Sequence, residues 1–353
     1  MLRYLTAGES HGKALMGILE GFPSGMPITE KYIAQQLKRR RTVLGRSKRQ
    51  KIETDNFEII GGLHKGKTTG APIGLLIPNK KISSVLSQSS TPRPGHADFA
   101  AMLKYDITQS DLIRERASAR ETCIRVALGS FSMKLLSLLR INIKSRVISL
   151  ASTALNNNKK SMMAKIKEAQ KEGETLGGIF EIKVENLPIG LGSHNQWDKK
   201  INAALGKQLL SLNTVKGVEI GEGFKLAELN GSASIDGFEI KNSKVKRTSN
   251  MAGGIEGGIT NGQDIILRCV MKAVPGIKKG ANSINLKTGA KEIIHSDTSD
   301  TTAVFAGAVI GEYLVALEIV NYILEKFGGD SFDEIKDRLL LWNKQILKKL
   351  RKI

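Results

Sequence analysis

TAVFAGAVIGEYLVALEIVNYIL, residues 302 to 324, is the most apolar stretch of the chain, and the class of molecule turns on it. It is long enough to cross a bilayer. Glu312, Glu318 and Asn321 interrupt it, however, so it is expected as a buried helix, Thr302 to Lys326, in a protein without a membrane span. Just upstream, in His295-Ser296-Asp297-Thr298-Ser299-Asp300, either Asp297 or Asp300 could cap that helix, or serve as a catalytic carboxylate. Downstream, a second helical pattern runs from Phe332 to the C-terminus and ends in a solvated basic face with Lys344, Lys348, Lys349, Arg351 and Lys352.

Further out, helical periodicity marks Ile28 to Arg41, Ser118 to Arg140, Lys159 to Glu172 and Asp198 to Ser211. Between the helices lie short β-type runs: Phe57 to Ile60, Ile73 to Ile77, Ile141 to Leu150, Gly178 to Val184 and Asp264 to Val270. The order is not a regular βαβ alternation, and several neighbouring strands look antiparallel, so the fold class is α+β. No fixed-period repeat or low-complexity linker divides the chain, which predicts a single domain over residues 1–353.

The chain has 353 residues, with 54 Lys+Arg against 34 Asp+Glu and a formal net charge of +20, so a polyanionic partner is expected. Eight of these cations, Lys38, Arg39, Arg40, Arg41, Arg46, Lys48, Arg49 and Lys51, form a run without an acid. RNA is the obvious alternative, but no aromatic residue lies between Lys38 and Lys51 for bases to stack on. A flexible basic loop closing over a small polyanion fits better, since arginine grips phosphate or carboxylate with two donors. Two cysteines, Cys123 and Cys269, are too few for a disulfide framework and suit the cytoplasm. The segment from Met1 to Gly17 carries Arg3, Glu9, His11 and Lys13, unlike the apolar core of a signal peptide.

Of five histidines, two sit where a ligand can approach closely. His11 lies in Gly8-Glu9-Ser10-His11-Gly12, and His96 in the turn Arg93-Pro94-Gly95-His96-Ala97-Asp98, which is expected to start a helix. Either can donate a proton near neutral pH, the bland alternative being a loop histidine that only bonds backbone. Ser118-Ala119-Arg120-Glu121 matches a capping box, and with Arg93, Arg114 and Arg116 nearby its helix start is a candidate anion site or a plain cap. The glycine-rich stretch from Asn250 to Thr260 could cradle a phosphate or lie against a planar ring. No dinucleotide fingerprint, Walker loop, His-x3-His or Cys-x2-Cys pair occurs, so nothing predicts NAD or ATP chemistry or a structural metal.

Gly8-Glu9-Ser10-His11-Gly12, Arg93 to Asp98 and Arg116 to Thr122 resemble the three signatures of the chorismate synthase family, in that family's order. Leu191-Gly192-Ser193, Val215 to Gly221 and Gly253 to Thr260 extend the resemblance over nearly the whole chain. It implies a β-α-β sandwich, assembled as a homotetramer, that eliminates phosphate from 5-enolpyruvylshikimate 3-phosphate to give chorismate and requires reduced FMN. It also implies a small-molecule substrate and neither nucleic acid nor membrane as partner. By similarity His11 protonates the leaving phosphate, His96 acts toward the reduced flavin, and Asp300 helps relay a proton. Ser10, Arg40, Arg46, Arg93 and Arg120 would hold the substrate, with Arg40 and Arg46 also matching positions tied to NADP phosphate. Flavin contacts are implied at Arg116, Ala117 and Ser118, at Asn213 and Thr214, at Gly257, at Lys272, Ala273, Val274, Pro275 and Gly276, and at Thr298. The family usually shows Lys-Pro and small hydroxyl residues where this chain has Lys272 to Gly276, and arginine in place of Thr298, a lost charge that either His295 or a nearby lysine offsets or that weakens flavin and substrate binding. Rivals from other classes are a basic RNA-associated protein and a flavin reductase.

Overall fold

The computed structural model describes residues 1–353 apart from 47–52, 81, 83–88, 152, 155–158, 242–243, 297–299 and 351–353. Its first sheet joins β1 (Arg3–Gly8), β2 (Ala14–Glu20), β3 (Glu58–Gly61) and β4 (Ile73–Pro78) in the order β1-β2-β4-β3, antiparallel throughout. Along β2, Leu15, Gly17 and Leu19 face inward while Met16, Ile18 and Glu20 face out, the alternation of a sheet with one covered face. The second sheet, also antiparallel, holds β5 (Asn142–Leu150), β6 (Gly178–Glu185), β7 (Val215–Ile220) and β8 (Ile265–Met271) in the order β7-β8-β6-β5, with the two-residue strand Thr153–Ala154 as a fifth at the β5 edge. These strands start and end within two residues of the predicted runs wherever a run was predicted.

The helices are α1 (Glu30–Arg41), α2 (Asp98–Tyr105), α3 (Ser110–Ala117), α4 (Thr122–Leu138), α5 (Lys159–Glu172), α6 (Ile201–Leu210), α7 (Val304–Phe327) and α8 (Phe332–Leu350). Helix α4 covers the first sheet, α7 covers the second, and the two pack on each other with α1 beside both. The layers are sheet, helices, sheet, the β-α-β sandwich of an α+β fold. Close approach explains two glycines at these contacts. A Cβ at Gly129 of α4 would stand 2.6 Å from that of Tyr313, and one at Gly311 of α7 would stand 2.7 Å from Ile182.

The apolar run is thus the central helix: α7 passes a membrane-span test on length and composition, yet most of it is buried between the sheets. Its Glu312, only 2% exposed, accepts from Arg39 Nη2 at 2.7 Å and from the backbone and hydroxyl of Ser145. A charge in such a place must be paired, and it is.

Three local expectations change. Asp300 does not cap α7; the N-cap is Ala303, the Thr302 hydroxyl accepts from the Val304 amide, and Asp300 is instead held by Arg46. Ser118 opens a 3-10 turn, Ala119–Glu121, by accepting from Arg120 N–H two residues on, so the four-residue capping box is replaced by a tighter local turn. Lys38 to Arg41 form no loop but the last turn of α1, where cations complement the helix dipole; Lys48, Arg49 and Lys51 lie outside the described residues.

Candidate functional site

A cavity of about 890 Å³ opens where the β1–β2 loop, the end of α1, the 93–97 turn and the first turns of α7 meet, within the usual size range for ligand sites. Ser10 and His11 enter it from the hairpin loop, and His96 from the opposite turn, so two distant motifs converge on one space. Ala303, the N-cap of α7, and Ala306, Gly307 and Ile310 within it, with Met271 and Leu212, give an apolar wall.

His11 Nδ1 lies 2.7 Å from Glu115 Oε1, and the His11 backbone N–H donates to Glu115 Oε2. Glu115 is 5% exposed and belongs to α3, an eight-residue helix with no periodic apolar stripe to betray it in the sequence. The carboxylate can only accept, so Nδ1 carries a proton and Nε2 is left for the cavity.

His96 is set in a turn braced from two sides. Arg93 donates bidentately to Asp98, Nε at 2.7 Å and Nη2 at 2.9 Å, and Lys272 Nζ donates to the Gly95 carbonyl at 2.8 Å. Gly95 has φ +74, and a Cβ there would press on Pro275 at 2.9 Å, so the turn requires glycine. Burial, then Arg93, with Lys272 and Arg114 adding, push His96 down to about 4 against the opposing pull of Asp98. The ring is therefore neutral at pH 7 until an anion offsets the surrounding cations. A proton titration of the His96 ring should show it near pH 4 in the ligand-free protein and higher with inorganic phosphate; an unmoved midpoint would remove it as an acid toward a bound anion. The unfolded chain binds this proton first, so native stability falls as pH drops from about 6.5 to 4 and this group costs nothing further below that.

The arginines divide into two kinds. Arg120 is wholly engaged: Nε donates to Asn79, Nη1 to Asp55 and Nη2 to Glu53. Arg93 is likewise occupied by Asp98. Arg40, 1% exposed, donates through Nε and Nη2 to Thr122 Oγ1, yet its Nη1 has no hydrogen-bond partner among the described residues. Arg46 gives Nη1 to Asp300 at 2.6 Å, while its buried Nε and Nη2 are unpartnered among the described residues. Such donors buried without partners are costly unless a ligand meets them.

The remaining predicted residues fall on two sides. Ala117, Ser118, Asn213, Thr214, Lys272, Val274, Pro275, Gly276 and Asp300 line the cavity, and Asn213 Nδ2 donates to the Ala117 carbonyl at 3.1 Å. Arg116, Ala273 and Gly257 are not on its wall. Arg116 is tied to Thr6 and Gly8, and Gly257 turns the hairpin Ile255–Glu256 with Ile259–Thr260. The glycine-rich stretch is packed as structure, since Cβ atoms at Gly253 and Gly254 would strike the backbone of Gly221 and Asp264. Thr298 lies outside the described residues; His295 lines the cavity with Nδ1 3.0 Å from the Lys278 carbonyl.

A model of the chorismate synthase family matches residues 2–324. The chorismate synthase of Caldanaerobacter subterraneus subsp. tengcongensis is 44% identical over 340 residues, 95% of this chain and 96% of that one. That of Desulforamulus reducens is 41% identical and covers 98% of this chain and 99% of its own. A crystal structure of chorismate synthase aligns with a TM-score of 0.80 at 34% identity, over 100% of this chain and 99% of that one.

The chain belongs to the chorismate synthase family.

Chorismate synthases depend on a flavin, and the cavity suits one. It pairs an apolar wall for a planar ring with unpartnered donors on Arg40 and Arg46 for phosphate and carboxylate, and Thr214 Oγ1 is a further buried atom without a partner among the described residues. Three residues of this chorismate synthase site were not anticipated from sequence: Glu115, Glu53 and Asp55. The last two were detectable as the first acids after the acid-free basic run.

Proposed function

We propose that this cavity catalyses the anti-1,4-elimination of phosphate from 5-enolpyruvylshikimate 3-phosphate to chorismate, with reduced FMN bound beside the substrate. The observation that carries this is the meeting of two histidines with buried arginine donors that lack hydrogen-bond partners among the described residues, in one partly apolar cavity. Reduced FMN, when bound, supplies a transiently lent electron and helps take up the ring proton, leaving no net redox change. Ala117, Ser118, Asn213, Thr214 and the Lys272 to Gly276 segment would hold it, largely through backbone because that segment lacks hydroxyls.

The chain's own residues do the rest. Arg40 and Arg46 meet the substrate's phosphate and carboxylates as charge develops on the leaving group. His11 Nε2 delivers a proton to the departing phosphate, and His96 holds one on the flavin side once bound anions favour its charged form. Asp300, held at Oδ2 by Arg46, would pass on the ring proton. Arg93 and Arg120 brace the loops that carry these groups more than they grip substrate themselves. In this reading residues 1–353 act as one domain, in the cytoplasm, within a homotetramer. An apolar surface for a second copy is the outward face of the first sheet, where Leu5 pairs with Ile18 and Met16 and Ile60 are also exposed.

The test is anaerobic: purified protein, 5-enolpyruvylshikimate 3-phosphate and chemically reduced FMN, following chorismate absorbance and released phosphate together. Equal appearance of both, only with reduced flavin, is expected. Folded, flavin-binding protein that yields no chorismate would overturn the assignment.

A further inference from the structure

We infer that Glu115 is a positioning residue for His11, fixing which nitrogen faces the substrate. Its two carboxylate oxygens are used separately: Oε1 takes the ring Nδ1–H at 2.7 Å, and Oε2 takes the His11 backbone N–H. One acid thereby sets both the ring tautomer and the position of the main chain that carries the ring. The Glu115 carbonyl also accepts the Ser10 N–H at 3.1 Å, so the end of α3 is stitched to the loop at consecutive residues. Among the described residues its ion-pair partner is His11, and the side chain is almost fully buried, leaving nothing else to hold it. The substrate-facing nitrogen is then Nε2. As the carbon–oxygen bond breaks, its electron pair leaves with the phosphate, a phosphate oxygen takes the Nε2 proton, and His11 remains as the neutral Nδ1–H tautomer that Glu115 selects.

This rests on the reading of His11 as the donor to phosphate, and the experiment separates the two. A glutamine has one acceptor where glutamate has two, so Glu115→Gln keeps the volume but must give up the ring or the main chain. Turnover should fall roughly 10- to 100-fold, as on losing an orienting partner of a functional histidine, with KM little changed. In a His11→Ala background the same change should add less than about twofold, because its target is gone. A loop anchor alone would instead show equal losses in both backgrounds, or a rise in KM without loss of kcat, and either overturns the inference. Nitrogen-15 spectra of His11 give a readout needing no variant. The neutral ring is expected as Nδ1–H, becoming a mixture in Glu115→Ala, and an Nε2–H ring in the unaltered protein would overturn the inference even if a variant failed to fold. Full activity of His11→Ala would defeat the donor reading itself, while an inactive His11→Ala beside a fully active Glu115→Gln would defeat only the role of Glu115.

Discussion

Alanine at His11 or at His96 lowers turnover by roughly 100- to 10,000-fold, the span of a lost general acid, while the fold and flavin binding persist. Both rings border one cavity yet are held by different means, so the two losses should differ in character. His11 is oriented by a carboxylate and acts where phosphate leaves; its removal lowers kcat with little change in KM, the mark of an interaction made in the transition state. His96 stands among Arg93, Lys272 and Arg114 and needs an anion nearby before it holds a proton at pH 7. His96→Ala should therefore also abolish the loss of stability that this group causes between about pH 6.5 and 4. Steady-state kinetics with reduced FMN and urea unfolding across that pH window check both halves. Turnover equal to that of the unaltered chain in either variant would leave its histidine as a loop residue that bonds backbone.

The fold was legible where apolar periodicity was strong. The predicted run from Ile141 to Leu150 became β5 with one residue removed, and the Lys159 to Glu172 helix has the predicted ends. What escaped was short or diluted. Strands β1 and β2 flank the His11 loop and alternate inward and outward, but each is short and the polar Glu9 to Lys13 loop between them breaks the pattern. Strand β7 contains Lys216, Gly217 and Glu219 and carries a register shift between Val215 and Gly217, which blurs its period. The site divides the same way. Its histidines and arginines announce themselves by residue type beside glycine and proline, whereas Glu115, Glu53 and Asp55 are ordinary acids made relevant by partners far along the chain. Periodicity carries no signal for such pairings; Glu53 and Asp55 stand out only as the first acids after the basic run, and Glu115 not at all. Two motifs also promised more than local pattern could deliver: the capping box became a single tight turn, and the 250–260 glycines serve backbone packing.

Asp55→Asn should cost about 3–5 kcal/mol, the usual result of removing one partner from a buried ion pair. Asp55 is 5% exposed, accepts from Arg120 Nη1 and lies 3.8 Å from Arg40 Nη1. Burial alone would raise its carboxyl, but the Arg40 and Arg120 guanidiniums hold it below the usual carboxylate range. Its stabilising effect is therefore complete above about pH 3.9 and is lost as pH falls beneath that, so the gap between the two proteins should close only in acid. Asparagine suits the position because Asp55 has φ 54, a left-handed conformation that asparagine also accepts, so the loss reports charge and not backbone strain. Urea midpoints at pH 7 measure it, and a difference below about 1 kcal/mol would mean that the arginines need no such support. The consequence reaches the chemistry. Arg40, Arg46 and Arg120 are brought under the surface by facing Asp55, Glu53 and Asp300, and the donors left over, Arg40 Nη1 with Arg46 Nε and Nη2, are those available to an anion. An anion bound at those donors takes over part of the neutralisation that Asp55 provides. Inorganic phosphate should then stabilise Asp55→Asn more than the unaltered protein, whereas equal stabilisation of both would put the phosphate-binding donors elsewhere in the cavity.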